Sequence, residues 1–405
     1  MAKMALLLCW SEKVNITDAF TETLRRCQQL SLETVHTTYQ GFMGALTNYR
    51  HVFVPLLILH LQLQMQNIGG RFWEVGGFVP IAFDGSRNSA ARTVSNEQEF
   101  CSAAGKRKAV ASPSTVTDPK PQAWITMMWH MGLRLPWDWR LGPSDSSERH
   151  HVLDMLESGN FPGNTIFCGD AGFVGYELWK AIMDRGYHFL IRVGSNVKLI
   201  QHGDEGYVLS WPKDKQKHHP PLKLRLVRVM VGSAEVFLLT SVLDQSQLDE
   251  TTMVDLYKKR WGVEIEFRGL KQTLNSQKLR CRNADRVYTE LDWSLLGMAI
   301  AELLAVKQQI ANFDPQSDYT PKKCSLANVM RAIYKCLDQL HERVVEGDDL
   351  FTQIASAVTD KYQRSASKKA RFRAKVSEKK KKKIQPPEVR PINPDELEKL
   401  QQIAA

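Results

Sequence analysis

Three acidic residues stand where carboxylates could hold metal ions. Asp84 closes the apolar run Gly77-Phe-Val-Pro-Ile-Ala-Phe-Asp84-Gly85, and Asp170 closes Thr165-Ile-Phe-Cys-Gly-Asp170. Glu264 stands in Tyr257-Lys-Lys-Arg260-Trp-Gly-Val-Glu264. Aspartate is a poor strand former, so an acid at the end of a buried strand calls for a reason beyond packing. Two divalent ions about 4 Å apart need hard oxygen ligands and open positions for an attacking and a leaving oxygen. Two strand-end acids and one helical acid meet that need, and the chemistry they fit is metal-dependent phosphoryl transfer. Each acid also has a plainer reading. Asp-Gly and Gly-Asp-Ala-Gly are common turns, and Glu264 has Arg260 and Arg268 four residues to either side, the spacing of ordinary surface ion pairs.

The element that must position Glu264 is a helix expected from about 250 past 274. Leu256, Val263, Phe267, Leu270 and Leu274 make one apolar stripe able to pack on a sheet. Tyr257, Arg260, Glu264, Arg268 and Lys271 make a polar face. Cations one turn from the acid can grip the phosphates of a strand being cut, and Tyr257 can bond a phosphate or stack on a base.

The elements before it alternate. Residues 16–68 have helical periodicity, and 101–122, rich in Ser, Pro and Lys, have none and suggest a flexible excursion. Residues 125–130 and 133–139 suggest paired strands, and a helix is expected from Ser147 to Ser158. Strand, turn and helix then follow around Asp170. Alternating runs such as Leu222–Val229 and Glu235–Thr240 point to a β-rich insertion over about 190–248. Further helices are expected over 290–310 and 326–345, and the lysine run 379–383 with the prolines after it suggests disorder. The expected division is a helical segment 1–74 suited to binding a DNA end, an α/β catalytic domain 75–310, a helical segment 311–360 and a basic, disordered tail 361–405.

Net charge is +10, and residues 361–390 hold 13 Lys or Arg against two Glu, so the rest of the chain is near neutral. Such a tail attracts polyanions through counterion release, or serves only solubility. The seven cysteines are scattered and form no Cys-x-x-Cys pair, which argues against disulfides and a zinc site and fits a reducing cytoplasm. The apolar run 52–59 is too short to span a membrane. No Gly-x-Gly-x-x-Gly or Walker loop is present. His150-His151 and His218-His219 suit surface positions, Cys168 a buried strand and Trp211 a core.

Tyr257-x2-Arg260-x3-Glu264-x6-Lys271 resembles the Tyr-Arg-Glu-Lys signature of DDE transposases of the insertion sequence four family. Phe83-Asp84-Gly85-Ser86-Arg87 followed by Arg92-Thr93 resembles that family's first aspartate block, and Cys168-Gly-Asp170-Ala-Gly-Phe173 its second. The blocks fall in order, 86 and 94 residues apart. The resemblance covers about 75–310. It implies a ribonuclease H-like (retroviral-integrase-like) mixed-sheet α/β core with a β-rich insertion and flanking helical segments.

By the same resemblance Asp84, Asp170 and Glu264 are the catalytic, metal-binding residues and hold two Mg2+ ions, with Mn2+ able to substitute. Tyr257, Arg260, Arg268, Lys271, Arg87 and Arg92 are the implied DNA contacts, and an inserted tryptophan such as Trp211 can stack on a flipped base in that family. The implied partners are double-stranded DNA, as terminal inverted repeats and target, and a second copy of the chain in a synaptic dimer. No membrane and no small-molecule substrate are expected, and the place of action is the cytoplasm, on the nucleoid. The reaction would be cut-and-paste transposition through a hairpin. Alternatives are a metal-dependent nuclease on the same core and a non-enzymatic DNA-binding relic.

Overall fold

The computed structural model describes residues 1–101, 120–312, 319–342, 349–359 and 385–404. Ten strands form one mixed sheet: β1 (Val79–Ser89), β2 (Gln122–His130), β3 (Leu135–Gly142), β4 (Thr165–Gly169), β5 (His188–Val193), β6 (Lys198–Gln201), β7 (Tyr207–Ser210), β8 (Leu222–Val231), β9 (Ala234–Thr240) and β10 (Glu388–Arg390). Their order across the sheet is β10-β6-β7-β8-β9-β5-β4-β1-β2-β3. β1, β4 and β5 run parallel at the centre, β2 and β3 double back beside β1, and β9 to β6 continue antiparallel beyond β5.

The central strands read as unbroken apolar runs because both of their faces are covered. Val79 to Phe83 of β1 and all five residues of β4 are buried. The covering helices are α1 (Ala2–Cys9), α2 (Ile16–Gln29), α3 (Tyr39–Gly69), α4 (Val94–Phe100), α5 (Glu148–Ser158), α6 (Tyr176–Asp184), α7 (Glu250–Arg260), α8 (Gly262–Arg268), α9 (Ala284–Asn312), α10 (Leu326–Glu342) and α11 (Leu350–Ala355), while α12 (Pro394–Ala404) lies over the insertion. Helix α9 is the central one and packs on α1, α3, α10, α11 and β3.

Several expectations change. The helical lead-in over 16–68 is two helices, parted after Leu30 where Ser31 takes a left-handed φ of 49°. Pro55 lies inside α3 without ending it, so the apolar stretch around 52–59 belongs to a 31-residue helix. By length and composition α3 and α9 could each cross a membrane, and 67% of the most apolar window of α9 is buried inside the protein against 28% for α3. The β-rich insertion is not a separate body but extends the central sheet. The excursion over 101–122 falls almost wholly outside the described residues, as does the lysine run 379–383.

The expectation of a disordered tail over 361–405 does not hold for 385–404. There β10 pairs in parallel with β6, and α12 follows. Ile392 and Leu400 pack on Ile200, Leu209 and Trp211, which supply an apolar surface that the β6–β7 pair could not bury alone. Trp211 is 3% exposed, the core position expected of it, and its indole N–H donates to the His219 carbonyl at 3.0 Å. Glu396 is buried, accepts from Arg390 at 2.8 Å and from Gln216 at 2.8 Å, and is pushed down to about 2, chiefly by the Arg390 guanidinium.

That depressed acid stabilises the fold above its unfolded value of 4.5 and stops doing so as pH falls through 2. Glu396→Ala is therefore expected to cost about 2 kcal/mol in urea unfolding at pH 7. The loss should shrink once the pH drops below 4.5.

Candidate active site

Asp84 lies inside β1 rather than at its end. The strand runs on to Ser89 against β2, with Asp84 opposite Met127. What ends at Ala82 is the parallel pairing with β4, so Asp84 stands two residues past it. Asp170 directly follows β4 and caps the short turn Ala171–Phe173, its Oδ1 accepting from the Gly172 N–H at 2.7 Å. The two acids thus lie just past the last paired residues of two neighbouring parallel strands in the middle of the sheet, at the same end.

Glu264 comes from the helical segment that follows the insertion. Helix α7 packs on β1, β4 and β8, and α8 on β1. The single helix expected over 250–274 is broken at Trp261 and ends in a π-helical turn, Gly269–Thr273. Gly262 permits the approach: a Cβ there would sit 2.0 Å from the ring of buried Trp129 on β2. Elsewhere on the same turn, Glu266 faces Glu302 of α9 with Arg134 nearby, and burial pushes both carboxyls up. The chain after the π turn returns to β1, where Leu279 N–H donates to Ser89 O at 2.8 Å and Asn88 Nδ2 to Ser276 O at 2.6 Å. Glu264 and Asp84 are therefore fixed relative to each other from both ends of the helical segment.

This changes the polar face. Tyr257 is 5% exposed and packs in the core, so its ring is not available to a base as expected from periodicity. Arg260 is also buried, with its guanidinium 3.7 Å from Asp84 and 3.9 Å from Glu264. It bridges two acids instead of facing outward. Lys271 is brought under β1, where Nζ donates to Ser86 Oγ at 2.6 Å, and burial lowers its pKa. Asp84, Ser86, Glu264, Arg268 and Lys271 line one open cleft. Arg268 is exposed at the site. Arg87 lies over the Trp124 ring at 4.2 Å, and Arg92 is paired with Glu97 at 2.7 Å, outside this cleft.

A fourth acid joins them that sequence reasoning missed. Glu148 is the first residue of α5, after the Ser147 cap, and by pattern it only opens a helix. Its carboxyl occupies the place where a side chain at 85 would be, since a Cβ on Gly85 would lie 2.1 Å from Glu148 Oε1. The Asp84-Gly85 pair therefore reflects close packing in a strand, not a turn. That glycine beside an acid was the available signal.

Burial pushes Glu148 up to about 7, with Asp84 and Asp170 adding repulsion against Arg87. Asp84 is raised to about 6, first by burial and then by Asp170 and Glu264, against the Gly85 amide and Arg260. Among the described residues, no three Asp, Glu, His or Cys converge tightly enough to hold an ion as their side chains stand. The donor types nevertheless suit a hard divalent cation, because they are carboxylate oxygens and the pKa values of Asp84 and Glu148 are raised by burial and by neighbouring acids. Cys168 is buried and pushed up to about 12 by desolvation, which leaves it inert. His150 and His218 are exposed as expected, while His151 is half-buried and bonded to Thr126 Oγ1 at 2.9 Å.

Residues 98–298 match the family described as Transposase DDE domain, a span that includes Asp170 and Glu264 and stops short of Asp84. The transposase InsG for insertion sequence element IS4 of Escherichia coli K12 is 26% identical over 207 residues, 48% of this chain and 46% of that protein. A Synechocystis sp. protein assigned as the transposase of element IS4SA is 23% identical over 154 residues, 36% of this chain and 44% of its own length. The chain thus spans about half the length of the curated relatives it matches. The piggyBac transposase in a synaptic complex with hairpin DNA is similar at a TM-score of 0.36 and 14% identity, over 71% of this chain and 59% of that one.

Asp84 has its folded pKa raised, so its protonated form is the one that suits the fold, and its ionisation weakens the fold as pH rises through about 6. In EDTA, Asp84→Asn is expected to melt a few degrees above the wild type at pH 8 and within a degree or so of it at pH 4. Gly262→Ala, which must displace Trp129 or the helix, should cost about 2 kcal/mol in denaturant unfolding.

Proposed function

We propose that this chain, which carries a transposase DDE domain and is distantly related to the transposases of insertion sequence element IS4, is a DNA transposase built on a ribonuclease H-like core. The observation that supports the reading is that Asp170 and Glu264 both lie near enough to Asp84 to raise its pKa, Asp84 and Asp170 standing at neighbouring central strands and Glu264 sharing a cleft with Asp84. Asp84, Asp170 and Glu264 would hold two magnesium ions. When bound, these activate the attacking oxygen and neutralise charge at phosphorus. Lys271, tied to Ser86, and Arg268 at the open face hold the strand's phosphates beside Asp84. Arg260 keeps Asp84 and Glu264 apart at fixed positions and favours the charged form of Asp84.

Cleavage of one strand at an element's end leaves a 3′-hydroxyl. That hydroxyl attacks the opposite strand to form a hairpin and, after reopening, attacks target DNA. Each step exchanges one phosphodiester for another or for water and needs no covalent enzyme intermediate. The partners are the element's inverted repeats, the target duplex and a second copy of the chain. The place of action is the cytoplasm, on the nucleoid.

A path for the flanking duplex is supported by a second cleft between residues 11–17 and 274–286. Lys13, Lys278, Arg280, Arg282 and Arg286 line it. Arg280 is committed to Glu290 and Arg286 to Gln40, which leaves Lys13, Lys278 and Arg282 exposed to meet phosphates.

With Mg2+ and a DNA duplex carrying the element's end, the wild type should nick and then join it to a target plasmid. Asp170→Asn and Glu264→Gln should lower both by roughly 100-fold or more while leaving DNA binding intact. Nicking that survives in Asp170→Asn sinks the proposed site, and nicking without any joined product makes the protein a nuclease instead. Lys278→Glu with Arg282→Glu should weaken binding uniformly across sequences. It should also reduce the salt slope by about one unit for each phosphate that is no longer neutralised.

A further inference from the structure

We propose that the outward face of α3 is the surface on which a second copy of this chain docks. The inference deepens the reading of the chain as one that acts beside a second copy, and it rests on that reading for the role of the pair. It is carried by one helix that is apolar on two opposite sides.

One of those sides is accounted for. Leu46, Val54, Ile58, Leu61 and Met65 are buried, and the helix packs on α9 and β3. At about 100° per residue, the opposite side of the helix carries Tyr49, Val52, Leu56, Leu59 and Leu63. These five side chains belong to residues that are each 45–58% exposed. A surface helix of a globular protein turns polar residues to water, and one that is apolar all round is ordinarily enclosed. Among the described residues, no element covers this second side.

The spacing selects the occupant. The five residues follow steps of 3, 4, 3 and 4, the period of the seam that two helices share when their side chains interdigitate. The seam is narrow, with Asn48, Gln62 and Gln66 along one flank and His60, Gln64 and Asn67 along the other. Such a strip suits a partner helix better than a bilayer, which favours a broad apolar face backed by Lys and Arg. Helix α3 has no Asp, Glu or Lys, and its one arginine, Arg50, is bonded to Asp292. Two copies therefore meet without like charges opposed, and a nucleic acid finds no free row of cations along this face.

A two-fold pair uses the same strip on both copies, so one surface is enough. With about half of each side chain exposed, one copy presents on the order of 500 Å2, and pairing covers about 1,000 Å2 in all, the lower bound of a specific interface. The chain's own longer segments outside the described residues do not match the strip. Residues 102–119 offer only Val110 and Val116 as large apolar side chains, and 360–384 are dominated by Lys and Arg.

Sedimentation of the full chain in reducing buffer, without DNA or metal, tests the proposal. The wild type should run as a dimer at about 50 μM, in the range that a small apolar interface reaches. Leu56→Glu with Leu59→Glu places like charges in the seam at two exposed positions and should weaken dimerisation by roughly 100-fold or more. Leu56→Lys with Leu59→Lys should do the same. Mixing the glutamate pair with the lysine pair should restore a dimer holding one copy of each, which also shows that both variants fold. A dimer that persists in the glutamate pair overturns the proposal, as do two monomeric variants that fail to recombine. A monomeric wild type overturns it too, and if that monomer floats with phosphatidylcholine vesicles the occupant is a bilayer. None of these results touches the acid site, which nicking by the wild type and Asp170→Asn tests on its own.

Discussion

The structure depends on keeping several carboxyls close together in a half-buried cleft. Burial first, and the neighbouring acids second, raise their pKa values and so make their ionisation cost the fold stability. Asp84 and Glu148 bear that cost most clearly, at about 6 and about 7. The protein meets it with one buried guanidinium, Arg260, and with rigid elements that leave the acids no room to splay. On the proposed reading, a divalent cation would relieve that cost, and the surrounding architecture would be the means of holding the acids in place.

That holding is done by ordinary packing carried to close distances. Parallel β1 and β4 bring Asp84 and Asp170 to the same end of their pairing, in the middle of the sheet. Helix α8 is anchored by Gly262 against Trp129, by the Glu266–Glu302 pair, and by the strand-like return of 276–279 to β1. The long core helix α9 lies behind all of this and supplies Glu302. Its apolar length reflects burial within the protein. The β6–β9 extension shares the central core through Leu199, Val208, Leu224, Val236 and Leu238, while its other face makes a small second core of Ile200, Leu209 and Trp211 under Ile392 and Leu400 of the β10–α12 segment.

The three acids could be singled out as candidates because their signals are local. An acid ending an apolar run, or standing in a helical stripe, can be read from a few neighbours, and most strands and helices were legible for the same reason. What was not legible depends on contacts distant in sequence. Tyr257 and Arg260 share a helical face with Glu264 by periodicity, yet the break at Trp261 and the sheet beneath turn them inward. Glu148 is 64 residues from Asp84 in sequence, and only the crossing of α5 over β1 brings them together. The ordering of 385–404 likewise comes from pairing with β6, nearly two hundred residues earlier, which composition could not reveal.

The central claim is that these acids form a metal centre for DNA phosphoryl transfer. The most direct measurement is anomalous scattering at the manganese edge from crystals of the full chain grown with Mn2+. The account predicts strong peaks inside the cleft, in contact with Asp84 and Asp170, that disappear in Asp170→Asn. Density showing no manganese in the cleft, or manganese bound only elsewhere on the surface, would contradict it.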